Sequence, residues 1–151
     1  MTRGRRSQHP ELVFQPYVLD ASALIDFERS QDVRKHLSNP GDSIIVPWRV
    51  MKEVTRGCRS PLCDWVRKHP RNVLRCATAE ESALAQSLAQ NFAALIDEAD
   101  AEAIAMAKHR AAKLVTGERR TKIPEVAAQY DVVCICPSDF LSEWPARRSA
   151  R

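Results

Sequence analysis

The chain has 151 residues and a mass of 17.0 kDa, enough for one domain with its own core. Hydrophobic residues make up 44% and charged residues 28%, the balance of an ordinary globular protein, and no apolar run is long enough to span a membrane. Net charge is +4, but residues 1–16 carry three Arg and one Glu and residues 145–151 carry three Arg, so the middle is close to neutral and overall charge does not announce a nucleic-acid partner.

In chain order, MTRGRRSQHP lacks the apolar stretch of a secretory signal, and a cytoplasmic location is expected. Val18 and Leu19 run into Asp20, and the segment after it has helical character with Ser22 as expected N-cap. This is a short strand delivering a carboxylate to its C-terminal end, the edge where parallel α/β sheets bind ligands. SALIDFERSQ and DVRKHLSN read as helical, and Pro40-Gly41-Asp42 breaks the chain. SIIVP, residues 43–47, is a buried strand ended by Pro47. WRVMKEVTRG is a helix with Glu53 at the border of its buried face and Gly57 as C-cap.

PLCDWVRKHP, residues 61–70, predicts a two-turn helix, and NVLRC, residues 72–76, a third strand. Thr78 and Glu81 have the form of a capping box before the longest amphipathic helix, marked by Leu84, Leu88, Phe92, Leu95 and Ile96. DEADAEAIAMAKHRA, residues 97–111, is a second helix on which Asp100, Ile104, Ala107 and Ala111 share a stripe. Asp100 falls in its first turn, where the helix dipole favours the ionised form. A strand at 113–116 and a turn at Gly117 place Glu118 just past a strand end. PEVAAQY is a short helix opened by Pro124, DVVCICP the last strand, and SDFLSEW the last helix with Ser138 in capping position. Strands alternate with helices throughout, which calls for a three-layer α/β/α sandwich around a mostly parallel sheet. The expected organisation is a basic, flexible extension over residues 1–16, one domain over 17–144, and a basic tail over 145–151.

This architecture can bring Asp20, Glu118, Glu53 and Asp100 to one side of the sheet. Four bare carboxylates in one cleft repel, and Mg²⁺ or Mn²⁺, which prefer oxygen ligands, relieve that repulsion. Metal held this way can activate water for attack on a phosphodiester. The four histidines have no ligand spacing, and the five cysteines, odd in number and without a Cys-x-x-Cys pattern, are expected as buried free thiols.

In order and spacing, YVLDASALIDF, VPWRVMKEV, DEADAEAIAMA and KLVTGERRTKIPEV resemble the PIN-domain nucleases, the class that includes VapC-type toxins of bacterial toxin-antitoxin pairs. The resemblance runs from about Tyr17 to Trp144. It implies that Asp20, Glu53, Asp100 and Glu118 bind Mg²⁺ or Mn²⁺ and carry catalysis, one of them, Asp20, helping to deprotonate the attacking water. It also implies that Ser22 and Thr116 support the acids. The family usually has Asp at the fourth position. Here Glu118 stands there, as in a subgroup whose segment runs from Val-Thr-x-Glu through Lys-Ile-Pro. An endoribonuclease activity, a cognate antitoxin and a homodimer follow by the same analogy.

Plainer readings stand beside these. Asp20 can be a helix cap, Glu53 a surface residue, Asp97 or Glu98 can stand in for Asp100, and Ser22 and Thr116 can simply cap helix and turn. Arg119, Arg120 and Lys122 either hold substrate phosphate or form a solvated charge run. Arg67, Lys68 and Arg71 form a weaker candidate patch, and Trp65 and Trp48 read as core before they read as base-stacking platforms. Asp26, Asp131 and Asp139 read as surface or capping acids. The competing function is a PIN-like scaffold that binds nucleic acid or protein without cutting. A phosphatase using an aspartyl nucleophile is disfavoured, since Ser22 occupies the place of its second Asp.

Overall fold

Tyr17–Leu19 form strand β1, and all three side chains are fully buried. Neighbours along a strand face opposite sides, so both faces of the sheet are covered here. A computed structural model describes residues 15–28, 44–55, 74–117 and 122–149. Strands β2 (Ile44–Pro47), β3 (Leu74–Arg75), β4 (Lys113–Val115) and β5 (Cys134–Ile135) join β1 in a five-stranded sheet of order β3-β2-β1-β4-β5. Every neighbouring pair is parallel, with Val18 opposite Ile45 on one side and Leu114 on the other. Helices α1 (Ala21–Glu28), α2 (Trp48–Thr55), α3 (Ala79–Asn91), α4 (Glu98–His109), α5 (Lys122–Gln129) and α6 (Pro137–Ser149) fill the connections. This is the α/β/α sandwich that the alternation predicts. No described helix is long and apolar enough to cross a membrane.

Helix α4 is the centre of the packing. Ala99 and every residue from Ala101 to Ala107 are buried, and the alanines among them let the helix lie close against β1, β2, β4, α2 and α3. Thr78 and Glu81 form the expected capping box at the start of α3, at 3.2 and 2.8 Å. Glu81 is fully buried, and Arg110 at the end of α4 grips both its oxygens, at 2.8 and 3.1 Å. Burial pushes the Glu81 carboxyl up, but the Arg110 bonds, the Thr78 N–H and the charges of Arg110 and His109 hold it below the ordinary value.

Several local expectations shift. Helix α3 ends at Asn91, so Leu95 lies beyond it and is exposed, while Ile96 is buried. Ala111 lies past the end of α4 at φ 54° and is exposed, so the stripe stops at Ala107. The last strand narrows to Cys134–Ile135 because Asp131 turns the chain at φ 60°. Helix α5 starts two residues before Pro124, and α6 starts at Pro137 and runs past Trp144 to Ser149. Trp48 is 45% exposed and so is not core. Cys76, Cys134 and Cys136 are free as expected, yet none is fully buried: Cys134 is half-buried and Cys76 and Cys136, just past strand ends, are exposed. The readings at residues 32–39, Gly57, Cys58, 61–70 (Cys63, Trp65, Arg67 and Lys68 among them) and Arg71 lie outside the described residues.

Tyr17 locks α6 onto the sheet. Its ring meets Phe140 edge-on at 4.9 Å, and its hydroxyl donates to Glu143 Oε1 at 3.1 Å, which Lys113 Nζ also reaches at 2.8 Å. Tyr17→Phe keeps the ring contact and loses this bond, and is expected to cost about 1 kcal/mol in urea unfolding. A neutral result would show that the hydroxyl contributes nothing net.

Candidate active site

In the order β3-β2-β1-β4-β5 the connections change direction between β1 and β4, and the crevice beyond their C-terminal ends is where open α/β sheets bind ligands. Asp20 follows β1 there and Thr116-Gly117 follow β4, joined by a 3.1 Å bond from Asp20 N–H to the Val115 carbonyl. Asp20 is 1% exposed. Its Oδ1 accepts from Ser22 Oγ and from Ala23 N–H, each at 2.8 Å, and its carbonyl accepts from Leu24 N–H at 3.1 Å. Asp20 is therefore the N-cap of α1, the plainer reading of this acid, and Ser22 does not take that position.

Ser22 lies inside the first turn of α1 and bridges the two strand ends instead. Its hydroxyl donates to Asp20, accepts from Gly117 N–H at 2.8 Å and lies 3.1 Å from Thr116 Oγ1. A carboxylate only accepts, so Ser22 spends its proton on Asp20 and Thr116 donates to Ser22. The hydroxyls expected to support the acids are thus in one chain with Asp20. Gly117 has no room for a side chain. A Cβ there meets the Asp26 carboxylate and lies 2.9 Å from the Ser22 carbonyl oxygen. Gly117→Ala is expected to cost about 1–3 kcal/mol in thermal unfolding; unchanged stability would mean that the turn yields freely.

Asp100 occupies the first turn of α4, where it and Asp97 form a reciprocal capping box. Asp100 N–H donates to Asp97 Oδ1 at 2.8 Å, and Asp97 N–H to Asp100 Oδ2 at 3.1 Å. Asp97 and Asp100 stand at the same spacing as Thr78 and Glu81, so the sequence carries the signal for this second box too. Burial, aided by the charges of Asp97 and Asp20, pushes the Asp100 carboxyl up to about 7. That reverses the expectation from the helix dipole, because desolvation of this half-buried group outweighs it. The influence of Asp20 places the two acids at one end of the sheet. The Cys134 thiol is pushed up to about 11 by burial and by Asp20, so it stays protonated and offers no thiolate.

Glu53 lies on α2, its side chain outside the described atoms, and Glu118, Arg119 and Arg120 lie outside the described residues. Lys122 opens α5 and is exposed. Among the described residues no three His, Cys, Asp or Glu side chains gather into a metal-holding group. Asp20 and Asp100 nevertheless offer only hard oxygen donors, and the charge of Asp20 is felt at Asp100, which fits a hard divalent cation. A cavity of about 720 Å³ lies between α3 and the start of α4, lined by Arg49, Ala85, Ala89, Ile96, Asp97 and Glu102 among others, and neither Asp20 nor Asp100 lines it.

A family model described as a PIN domain matches residues 16–135. The chain belongs to the PIN-domain family. PIN domains are generally nucleases, and those nucleases usually use divalent metals. Among solved structures, a PilT N-terminus domain protein from the hyperthermophilic archaeon Sulfolobus solfataricus P2 is similar, with a TM-score of 0.56 over 83% of this chain and 90% of that one. At 12% identity that likeness is one of fold. No curated protein matches the chain.

Proposed function

We propose that this PIN-domain chain is a Mg²⁺- or Mn²⁺-dependent endoribonuclease, the toxin of a bacterial type II toxin-antitoxin pair. The observation that supports the nuclease reading is the buried Asp20 at the point where the strand order reverses, with its charge felt at Asp100. Asp20, Asp100, Glu53 and Glu118 are the residues to hold the metal, which when bound supplies charge neutralisation and Lewis acidity at the phosphodiester.

The protein's own groups divide the remaining work. Ser22 and Ala23 N–H fix Asp20 Oδ1 and so orient its carboxylate. In hydrolysis the water oxygen bonds to phosphorus while the bond to the leaving oxygen breaks; the Asp20 carboxylate takes the water's proton, and the leaving alkoxide takes a proton from solvent. In the metal-free chain Asp100 holds a proton up to about neutral pH, which moderates the repulsion between the acids. Arg119, Arg120 and Lys122 follow Glu118 in sequence and supply cations for substrate phosphates. A cognate antitoxin protein and a homodimer belong to the same reading, through the toxin-like motifs.

Cleavage of a defined RNA panel with Mn²⁺, with and without chelator, tests it, alongside calorimetric titration of Mn²⁺. Cutting that needs Mn²⁺ and stops with chelator is expected. Cutting that survives chelation would overturn the metal assignment. Absence of both cutting and Mn²⁺ binding would leave the non-cutting scaffold, the reading that Glu118 in place of the usual Asp favours.

A further inference from the structure

Glu102 is a buried carboxylate outside the acid pair, and both its oxygens are committed to one residue of α2. Oε1 accepts the backbone N–H of Arg49 at 3.1 Å, and Oε2 pairs with Arg49 Nε at 3.2 Å. Arg49 Nη1 meets Glu98 Oε2 at 2.9 Å. Arg49 is the second residue of α2, where backbone N–H groups have no acceptor within the helix. A Ser, Thr, Asp or Asn just before a helix normally supplies one, but Val46 and Pro47 precede α2 and neither has a side-chain oxygen. The acceptor comes instead from another helix, and a negative charge at a helix N-terminus is favoured by the dipole.

We propose that Glu102 is a positioning residue. By capping α2 from α4, it sets the helix that carries Glu53 against the helix that carries Asp100, and so fixes the spacing of two acids assigned to the metal. This rests on the metal-dependent reading above. The sequence places the clamp beside those acids: Arg49 precedes Glu53 by four residues, about one turn of α2, and Glu102 follows Asp100 by two. With both oxygens held by Arg49, Glu102 acts through α2.

Calorimetric titration with Mn²⁺, run with thermal melts on the full chain, tests this. Glu102→Ala removes the cap and the ion pair, and is expected to weaken Mn²⁺ binding about tenfold, as loss of groups that orient metal ligands typically does. Glu102→Gln keeps an oxygen for the Arg49 N–H but turns an amide NH2 toward Arg49 Nε, so it keeps the cap and loses the ion pair, and about a threefold weakening is expected. It carries the test should the alanine variant not fold. Tyr17→Phe, which loosens α6 at the other end of β1, is expected to lower the melting temperature and leave Mn²⁺ affinity as in the wild type. Wild-type affinity in the folded Glu102 variants, or an affinity loss in Tyr17→Phe that tracks its stability, would overturn the positioning role. A wild type whose Mn²⁺ uptake does not depend on Asp20 would overturn the metal reading itself, and this inference with it.

Discussion

Asp20→Asn is expected to abolish detectable Mn²⁺-dependent RNA cleavage and to weaken Mn²⁺ binding by a factor on the order of 100 or more, since it removes a direct ligand. The same change is expected to leave the fold almost untouched. Asparagine has the shape of aspartate, and its side-chain oxygen can accept the Ser22 and Ala23 bonds that Oδ1 accepts now. Thermal unfolding of the metal-free variant should therefore fall within about 1 kcal/mol of the wild type. Retained cleavage would mean that the buried acid is only the N-cap of α1. Collapse of the fold would mean that its charge is structural.

Asp100→Asn should separate the pH dependence of stability from that of metal binding. In the metal-free chain Asp100 has its carboxyl pushed up from 3.8 to about 7, with burial as the first cause. Its contribution to stability is fully present below the unfolded value and is lost as pH rises through the folded one, because over that window the native state binds more protons than the unfolded state. The wild type should thus lose stability between about pH 4 and pH 7 on this account, by about 2 kcal/mol after allowing for the solvent that screens a half-buried group. Asparagine carries no charge to desolvate and still offers an oxygen to the Asp97 N–H. The variant should melt above the wild type at pH 8, by roughly 4–8 °C, and level with it at pH 4. Adding Mn²⁺ should reverse the order at pH 8. Parallel melting curves across the pH range would refute the account of Asp100.

What the sequence makes legible is local. Val18-Leu19 before Asp20, the alternation of short apolar runs with helical spacings, and the Thr78–Glu81 box each depend on residues a few positions apart, and each is present in the fold. Ser22 reads wrongly because its hydroxyl is drawn to Thr116 and Gly117, more than 90 residues away, leaving Asp20 itself to cap α1. Asp100 reads wrongly in charge for a related reason: the dipole of its own helix can be read from its position, but its desolvation depends on what packs around it. The grips of Arg110 on Glu81 and of Arg49 on Glu102 join α4 to the starts of α3 and α2, and no periodicity announces them. The four acids are named from their motifs alone. The structure brings Asp20 and Asp100 into mutual influence, while the side chains of Glu53 and Glu118 lie outside the described atoms.

Among the described residues the sheet's two rims are β3 and β5, each two residues long. A rim that short presents too few free backbone donors and acceptors to template a further strand, which is one way natural proteins avoid edge-to-edge aggregation. A peptide partner consequently has little to gain by lying down as an extra strand and is expected to dock through side chains on helix faces. Of the large apolar side chains left at the surface, Ile25 and Trp48 lie on α1 and α2, helices that pack against each other.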